Sequence, residues 1–218
     1  MNRKGLTGVC LVAAALLPLA SLRAAVIYDL VTDQSVYEAE CGESVSVKVS
    51  LRETLTDGSP SELLGRGGLF SFDVALDVTT APTDPAAATA VDANPNFNGA
   101  VNNVPPVVVI ADRDLLELEG VEPVAVGANT YRVHLATFAI QAGNVLDEIT
   151  VFSLTDFENL LTPGTDYNTY YWDDVLAQNP LDPVVTGTTF SVKVIPEPTA
   201  LCVLGILSVG LLSRRRRM

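Results

Sequence analysis

Three stretches of the chain alternate apolar and polar residues with a period of two, the pattern of strands buried on one face. From Ser44 to Leu51, Val45, Val47, Val49 and Leu51 share one face, and Ser46, Lys48 and Ser50 share the other. From Leu69 to Val78, the residues Phe70, Phe72, Val74, Leu76 and Val78 point inward while Asp73 and Asp77 face out. The stretch 130–140 begins with Tyr131, Val133 and Leu135 opposite Arg132 and His134, then changes face at Phe138 and Ile140. A change of face inside one strand predicts a bulge or burial on both sides. Weaker strand patterns lie at 26–31, 107–110, 149–154, 169–172 and 188–194. No stretch keeps a helical period for long, and only 112–119 and 156–161 suit short helical turns. Eight or nine strands in roughly 170 residues predict an all-β fold, an antiparallel two-sheet sandwich. Residues 80–106 interrupt the pattern with Pro82, Pro85, Pro95, Pro105 and Pro106 among many alanines. That composition is unfit for a central strand and predicts a long surface loop.

The charge is distributed as sharply as the alternation. Between residues 25 and 195 stand 25 acids against 6 bases, a balance of −19, whereas the whole chain carries −13. The remaining bases sit at the two ends, Arg3, Lys4 and Arg23 before the body and Arg214, Arg215, Arg216 and Arg217 after it. So acidic a body repels phosphate, which argues against nucleic acid as a partner, and it repels anionic lipid. It favours solubility and can gather cations. Of three cysteines, Cys10 and Cys202 fall in the apolar ends, leaving Cys41 without an internal partner. A disulfide framework and a multi-cysteine zinc site are both excluded from the body.

The ends read as address segments. Arg3 and Lys4 precede an apolar run over 9–19 and then small residues, the layout of a secretory signal peptide over 1–24. At the other end, Pro196, Glu197 and Pro198 precede an apolar segment over 199–213 and the four arginines. Fifteen residues span roughly 22 Å as a helix, short for a bilayer, but arginines extend such a segment by snorkelling. Arginines beyond an apolar segment hold that side in the cytoplasm, which places the body outside the inner membrane. The expected organisation is a signal peptide over 1–24, a β-sandwich domain over 25–194 and a terminal signal over 195–218.

The order of Pro196-Glu197-Pro198, short apolar helix and arginine tail resembles the PEP-CTERM sorting signal, over about two dozen of the 218 residues. That resemblance implies recognition by an exosortase, a membrane transpeptidase-like cysteine enzyme thought to cleave near the motif, after a signal peptidase has acted at the other end. It also implies a Gram-negative bacterium that makes exopolysaccharide, with the protein held briefly in the inner membrane before reaching the cell surface or extracellular matrix. The body more loosely resembles cohesin-like jelly-roll modules. Cys41-Gly42-Glu43-Ser44-Val45-Ser46-Val47 is similar to their glycine-led second strand, Gly68-Leu69-Phe70-Ser71-Phe72-Asp73-Val74 to the next, and Tyr131-Arg132-Val133-His134-Leu135 to a later partner.

Chemistry-bearing residues are sparse. Gly-x-Ser-x-Gly does not occur, and His134 is the one histidine, on a strand beside Arg132, where a surface or rim position suits it better than a Ser-His-Asp site. Carboxylate pairs occur at Asp112/Asp114, Glu117/Glu119, Asp147/Glu148 and Asp173/Asp174. Two acids can serve glycoside hydrolysis, but pairs are expected by chance in so acidic a chain. Calcium, which takes several oxygen ligands from loops, suits Asp112, Asp114, Asp173 and Asp174 better. Tyr170, Tyr171 and Trp172 stand beside Asp173 and Asp174, either as a platform for stacking on sugars or as an edge strand whose rings cover the core. The expected function is that of a non-enzymatic binding or structural module associated with exopolysaccharide; a carbohydrate-binding module proper and a glycoside hydrolase are the alternatives.

Overall fold

The computed structural model describes residues 26–56, 58–104, 106–157, 169–171 and 185–197. Among them the order is β1 (Val26–Thr32), β2 (Val36–Glu40), β3 (Ser44–Leu55), α1 (Glu62–Gly65), β4 (Leu69–Thr80), β5 (Ala87–Ala93), β6 (Val101–Val104), β7 (Val108–Asp112), β8 (Val124–Gly127), β9 (Thr130–Gln141), β10 (Ile149–Thr155), β11 (Tyr170–Tyr171), β12 (Val185–Thr186) and β13 (Thr189–Ile195). The signal-peptide region, Trp172, Asp173, Asp174, Pro198 and the apolar and arginine tail lie outside the described residues. Among the described residues no helix is long and apolar enough to cross a membrane.

The long alternating strands build two facing sheets. One runs β12-β1-β3-β9-β5, with β8 also on β9; the other runs β2-β13-β10-β4-β7-β6, with β11 also on β4. Every second residue of β3 points inward, so Val47, Val49 and Leu51 are buried against Phe72, Val74 and Leu76 of the other sheet and Val133 and Leu135 of β9. Aromatic rings fill the space between the sheets. Phe152 stacks on Phe190 at 5.2 Å, and Phe72 meets Phe97 edge-on at 4.6 Å. Each such ring contributes about 1.5–3 kcal/mol on burial.

The bulge expected in β9 is present. Val49 pairs with Ala136 and Ser50 with His134, so Leu135 is the extra residue, and both Leu135 and Ala136 are buried. The expectation of purely antiparallel sheets is corrected at two edges, where β1 pairs with β12 and β2 with β13 in parallel. The chain passes from the first sheet to the second between β1 and β2, and β2 then lies along β13 in the same direction.

Three further expectations change. The segment 80–106 is not loop throughout, because it carries β5 and β6. Both are terminal strands of their sheets, and the prolines fall before, between and after them, where a missing N–H costs no ladder bond. The stretch 112–119 leaves β7 at Asp112 and continues into a turn and bends over 115–119 rather than a helical turn, and the short helix stands at Glu62–Gly65 instead, capped by Ser61. Asp73 does not face solvent. It is 1% exposed, accepts a hydrogen bond from the Phe157 N–H (3.3 Å), and its own N–H donates to Thr169 Oγ1 (3.3 Å), because the chain around Phe157 and Thr169 covers the outer face of β4.

At one end of the sandwich the turns 40–44 and 141–149 meet the 81–86 segment. The Gly42 N–H donates to the Gly143 carbonyl (3.1 Å), and the Asn144 N–H and amide donate to Asp84 Oδ2 at 2.6 and 3.0 Å. These bonds hold Asp84 below its ordinary carboxylate range. A Cβ on Gly143 would fall 1.9 Å from the Asp84 carbonyl oxygen, a clash with backbone that no side-chain motion relieves. Gly143→Ala is therefore expected to lower the unfolding free energy by about 1–3 kcal/mol, read as a fall in the thermal midpoint. Gly65→Ala, whose added Cβ meets nothing within 4 Å, should leave the midpoint unchanged or slightly raised.

Candidate functional site

The functional-site candidates gather at the opposite end, where β3 ends, β4 begins and the 112–121 loop returns. The inward parity of β3 continues past Leu51 to Glu53, so a carboxylate arrives on the core side with no exposed surface. A buried charge without partners is costly. Here its oxygens receive the Tyr28 hydroxyl (3.0 Å), the Ser61 hydroxyl and the Glu62 and Leu63 N–H groups (2.9 and 3.1 Å). The Ser61 oxygen in turn accepts from the Leu64 N–H at 3.1 Å, so Glu53 and Ser61 together cap α1. Tyr28 spends its single proton on Glu53 and so accepts from the Tyr171 hydroxyl, which it faces across the two sheets. The Arg66 guanidinium lies 4.9 Å above the Tyr171 ring. Burial pushes both tyrosine hydroxyls well above their ordinary value of 10.0.

This junction settles the orientation of Tyr171. Its ring points inward, is 5% exposed and meets the Tyr28 ring edge-on at 6.3 Å. Trp172 and the side chain of Tyr170 are not among the described groups. The burial of Glu53 was readable from the parity of β3, two residues beyond Leu51, but an acid at the end of an alternating run looks like the strand's exit to solvent.

Beside the junction, the 112–121 loop borders an open groove of about 520 Å³ between Phe70, Asn98, Ala100, Asp112, Arg113 and Leu115. Asp112 and Asp114 both line it. Asp112 Oδ1 accepts from the Ser71 hydroxyl (2.6 Å), and Asp114 Oδ1 accepts from the Leu116 N–H (2.9 Å). The guanidinium of Arg113 sits between them in sequence and donates to the carbonyls of Glu119 (3.2 Å) and Asn96 (2.5 Å). Among the described residues no three His, Cys, Asp or Glu side chains come together in a metal-binding group.

Among the remaining paired acids, Glu117, Asp147 and Glu148 hold loops together, and Asp173 and Asp174 lie outside the described residues. Glu117 takes the Asn98 amide (3.1 Å) and lies 3.5 Å from Arg113 Nη2; Asp147 lies 3.8 Å from Lys193; Glu148 accepts the Thr83 and Asp84 N–H groups at 3.3 and 3.0 Å. His134 is half-buried, with Nδ1 3.2 Å from the Val49 carbonyl and Nε2 3.4 Å from Thr137 Oγ1. Burial lowers its pKa, favouring the neutral ring. Pro196 and Glu197 follow β13 directly, with Glu197 exposed at the end of the sandwich remote from the groove. There Glu40 is raised above its ordinary value, first by desolvation and then by the neighbouring charges of Glu43 and Glu197.

The raised tyrosines fix the sign of an alkaline effect. Below pH about 10 both hydroxyls are protonated in folded and unfolded chains alike; above it only the unfolded chain ionises readily, so stability is lost as pH rises. The thermal midpoint should fall above pH 10, and Tyr28→Phe should flatten part of that fall while costing about 1–3 kcal/mol at neutral pH by leaving Glu53 and Tyr171 short of a partner.

No protein-family model matches the chain, and no curated protein matches it. Among solved structures it is similar to the sixth cohesin of scaffoldin B from Acetivibrio cellulolyticus, crystallised with a mutant Cel5 dockerin. The TM-score is 0.42 at 16% identity, covering 78% of this chain and 98% of that one. It is also similar to a type III cohesin module of the ScaE cell-surface anchoring scaffoldin from Ruminococcus flavefaciens, with TM-score 0.40 at 7% identity, covering 83% and 93%.

Proposed function

We propose that the chain is an exported, non-catalytic binding or structural module, sorted by an exosortase to the cell surface or matrix of a Gram-negative bacterium and associated there with exopolysaccharide. The observation that carries this reading is the three-part order at the C-terminus: Pro196-Glu197-Pro198, an apolar segment and four arginines, paired with a secretory signal at the N-terminus. The position of Pro196 and Glu197 supports it. They leave the sandwich immediately after β13, with Glu197 exposed, where a membrane enzyme can reach the chain without unfolding the body. The non-catalytic part draws support from Glu53, Asp84, Asp112, Glu117 and Glu148, which are engaged in capping, loop closure and ion pairs. The inward turn of Tyr171 favours this reading over a sugar-stacking platform.

Processing tests the proposal. The extracellular form should begin near Ala25 and lack the chain beyond about Pro198, and its intact mass should show both losses. An extracellular form that keeps Arg214–Arg217 overturns exosortase sorting.

A further inference from the structure

We infer that the loop from Asp114 to Glu119, with the groove beside it, is a docking surface for a protein segment that presents apolar side chains flanked by Lys or Arg. Leu115, Leu116 and Leu118 are 69%, 88% and 89% exposed, the highest values among the large apolar side chains described. Their exposure does not come from a slack loop. The Asp114 N–H donates to Asn98 Oδ1 (3.0 Å), the Leu116 N–H to Asp114 Oδ1 (2.9 Å), the Glu117 N–H to the Asp114 carbonyl (3.0 Å) and the Gly120 N–H to the Gly67 carbonyl (2.8 Å). Arg113 ties the loop's two ends to Asn96 and Glu119. The backbone is thus fixed in a shape that holds three leucines in water, the arrangement of a binding surface organised in advance.

Charge selects the occupant. Asp114, Glu117, Glu119 and Glu122 flank the leucines along the chain, while the one base of the loop, Arg113, is turned to the carbonyls of Asn96 and Glu119 and to Glu117. A second copy of this chain would bring another body of −19, and an anionic membrane would bring phosphate, so both meet the acids with like charge. A neutral apolar partner would strip water from the acids without replacing it. An apolar segment rimmed with Lys or Arg satisfies the leucines and the acids together. The groove between Phe70, Ala100 and Asp112, about 520 Å³, is large enough for one or two of its side chains. The surface lies at the end of the sandwich remote from Glu197, so a partner can dock whether or not the terminal signal is cleaved.

The test uses the purified full chain and a synthetic amphipathic helical peptide of Leu and Lys, with its Leu and Glu counterpart as control, read by fluorescence anisotropy. The Leu/Lys peptide should bind and the Leu/Glu peptide should not. Substituting Leu115, Leu116 and Leu118 with Ser should weaken binding by about tenfold or more, the size of effect expected from central apolar anchors, and should leave the thermal midpoint unchanged. Glu119→Gln with Glu122→Gln should weaken it less and reduce its salt dependence. Equal binding by the triple-serine variant means that net charge alone attracts the peptide, which overturns the inference. So does equal binding of the Leu/Glu peptide, leucine-dependent binding to vesicles containing phosphatidylglycerol, or leucine-dependent self-association in sedimentation.

Discussion

The fold depends on a carboxylate placed where a carboxylate should not be. Glu53 continues the inward parity of β3 into the core with no exposed surface, and its cost is offset only because four donors converge on it from two parts of the chain. Two donors are backbone N–H groups of α1, so the acid also completes a helix too short to form alone. One is Tyr28 of β1, which relays the contact to Tyr171 beside β4 in the opposite sheet. A single side chain thereby joins the two sheets, the connection between β3 and β4, and the strand that β11 adds to the edge of β4. Apolar packing between the sheets supplies most of the stabilisation but is tolerant of slippage. The hydrogen bonds at Glu53 are directional and fix how the sheets close at this end.

The alternation of apolar and polar residues made the central strands legible, because one face of each is buried and a one-residue slip would turn every valine to water. It also marked the bulge in β9, where the inward set passes from Leu135 to Ala136. It failed where burial is decided by something other than the facing sheet. Asp73 and Ser71 sit on what the pattern reads as the outer face of β4, and they are buried because chain from elsewhere lies over them. β5 and β6 were hidden by the prolines around them, since proline forbids a central strand but permits a terminal one. β12, two residues long and parallel to β1, leaves no pattern to read. Of the site, the acids at 112–119 were visible as sequence, but not that the loop would be held rigidly with its leucines outward. That depends on Asn98 and Gly67, which are remote along the chain.

The acidity of the body has a structural component that a charge count conceals. Asp29 pairs with Arg52 at 2.8 Å and takes the Thr186 hydroxyl at 2.6 Å; together these outweigh its desolvation and hold its pKa below the ordinary value. Asp33 accepts from the Tyr37 hydroxyl and the Lys48 N–H at the switch between sheets. Asp84 and Glu148 accept loop N–H groups between β4 and β5 and before β10. In a sandwich whose strands are joined by many turns, unpaired N–H groups accumulate in the turns, and short acids are the simplest acceptors for them. Part of the negative charge is therefore a consequence of all-β architecture rather than a signal about ligands.

What is left after this accounting is unevenly placed. Strand directions put the exit of the chain at the Thr80 end of β4 and the 112–121 loop at the Leu69 end, so the two poles are separated by the full length of the sheet. The exit pole carries Glu40, Glu43 and Glu197, where desolvation and then the neighbouring charges raise Glu40 above its ordinary value. The other pole carries the rigidly held leucines and, at the same end of the sandwich, the buried Glu53 junction. Rigidity at that pole keeps the proposed docking surface from losing conformational freedom when a partner binds. The stiffness that a presented apolar loop requires comes from Asn98, Gly67 and Arg113, whose hydrogen bonds fix the loop's backbone from outside it.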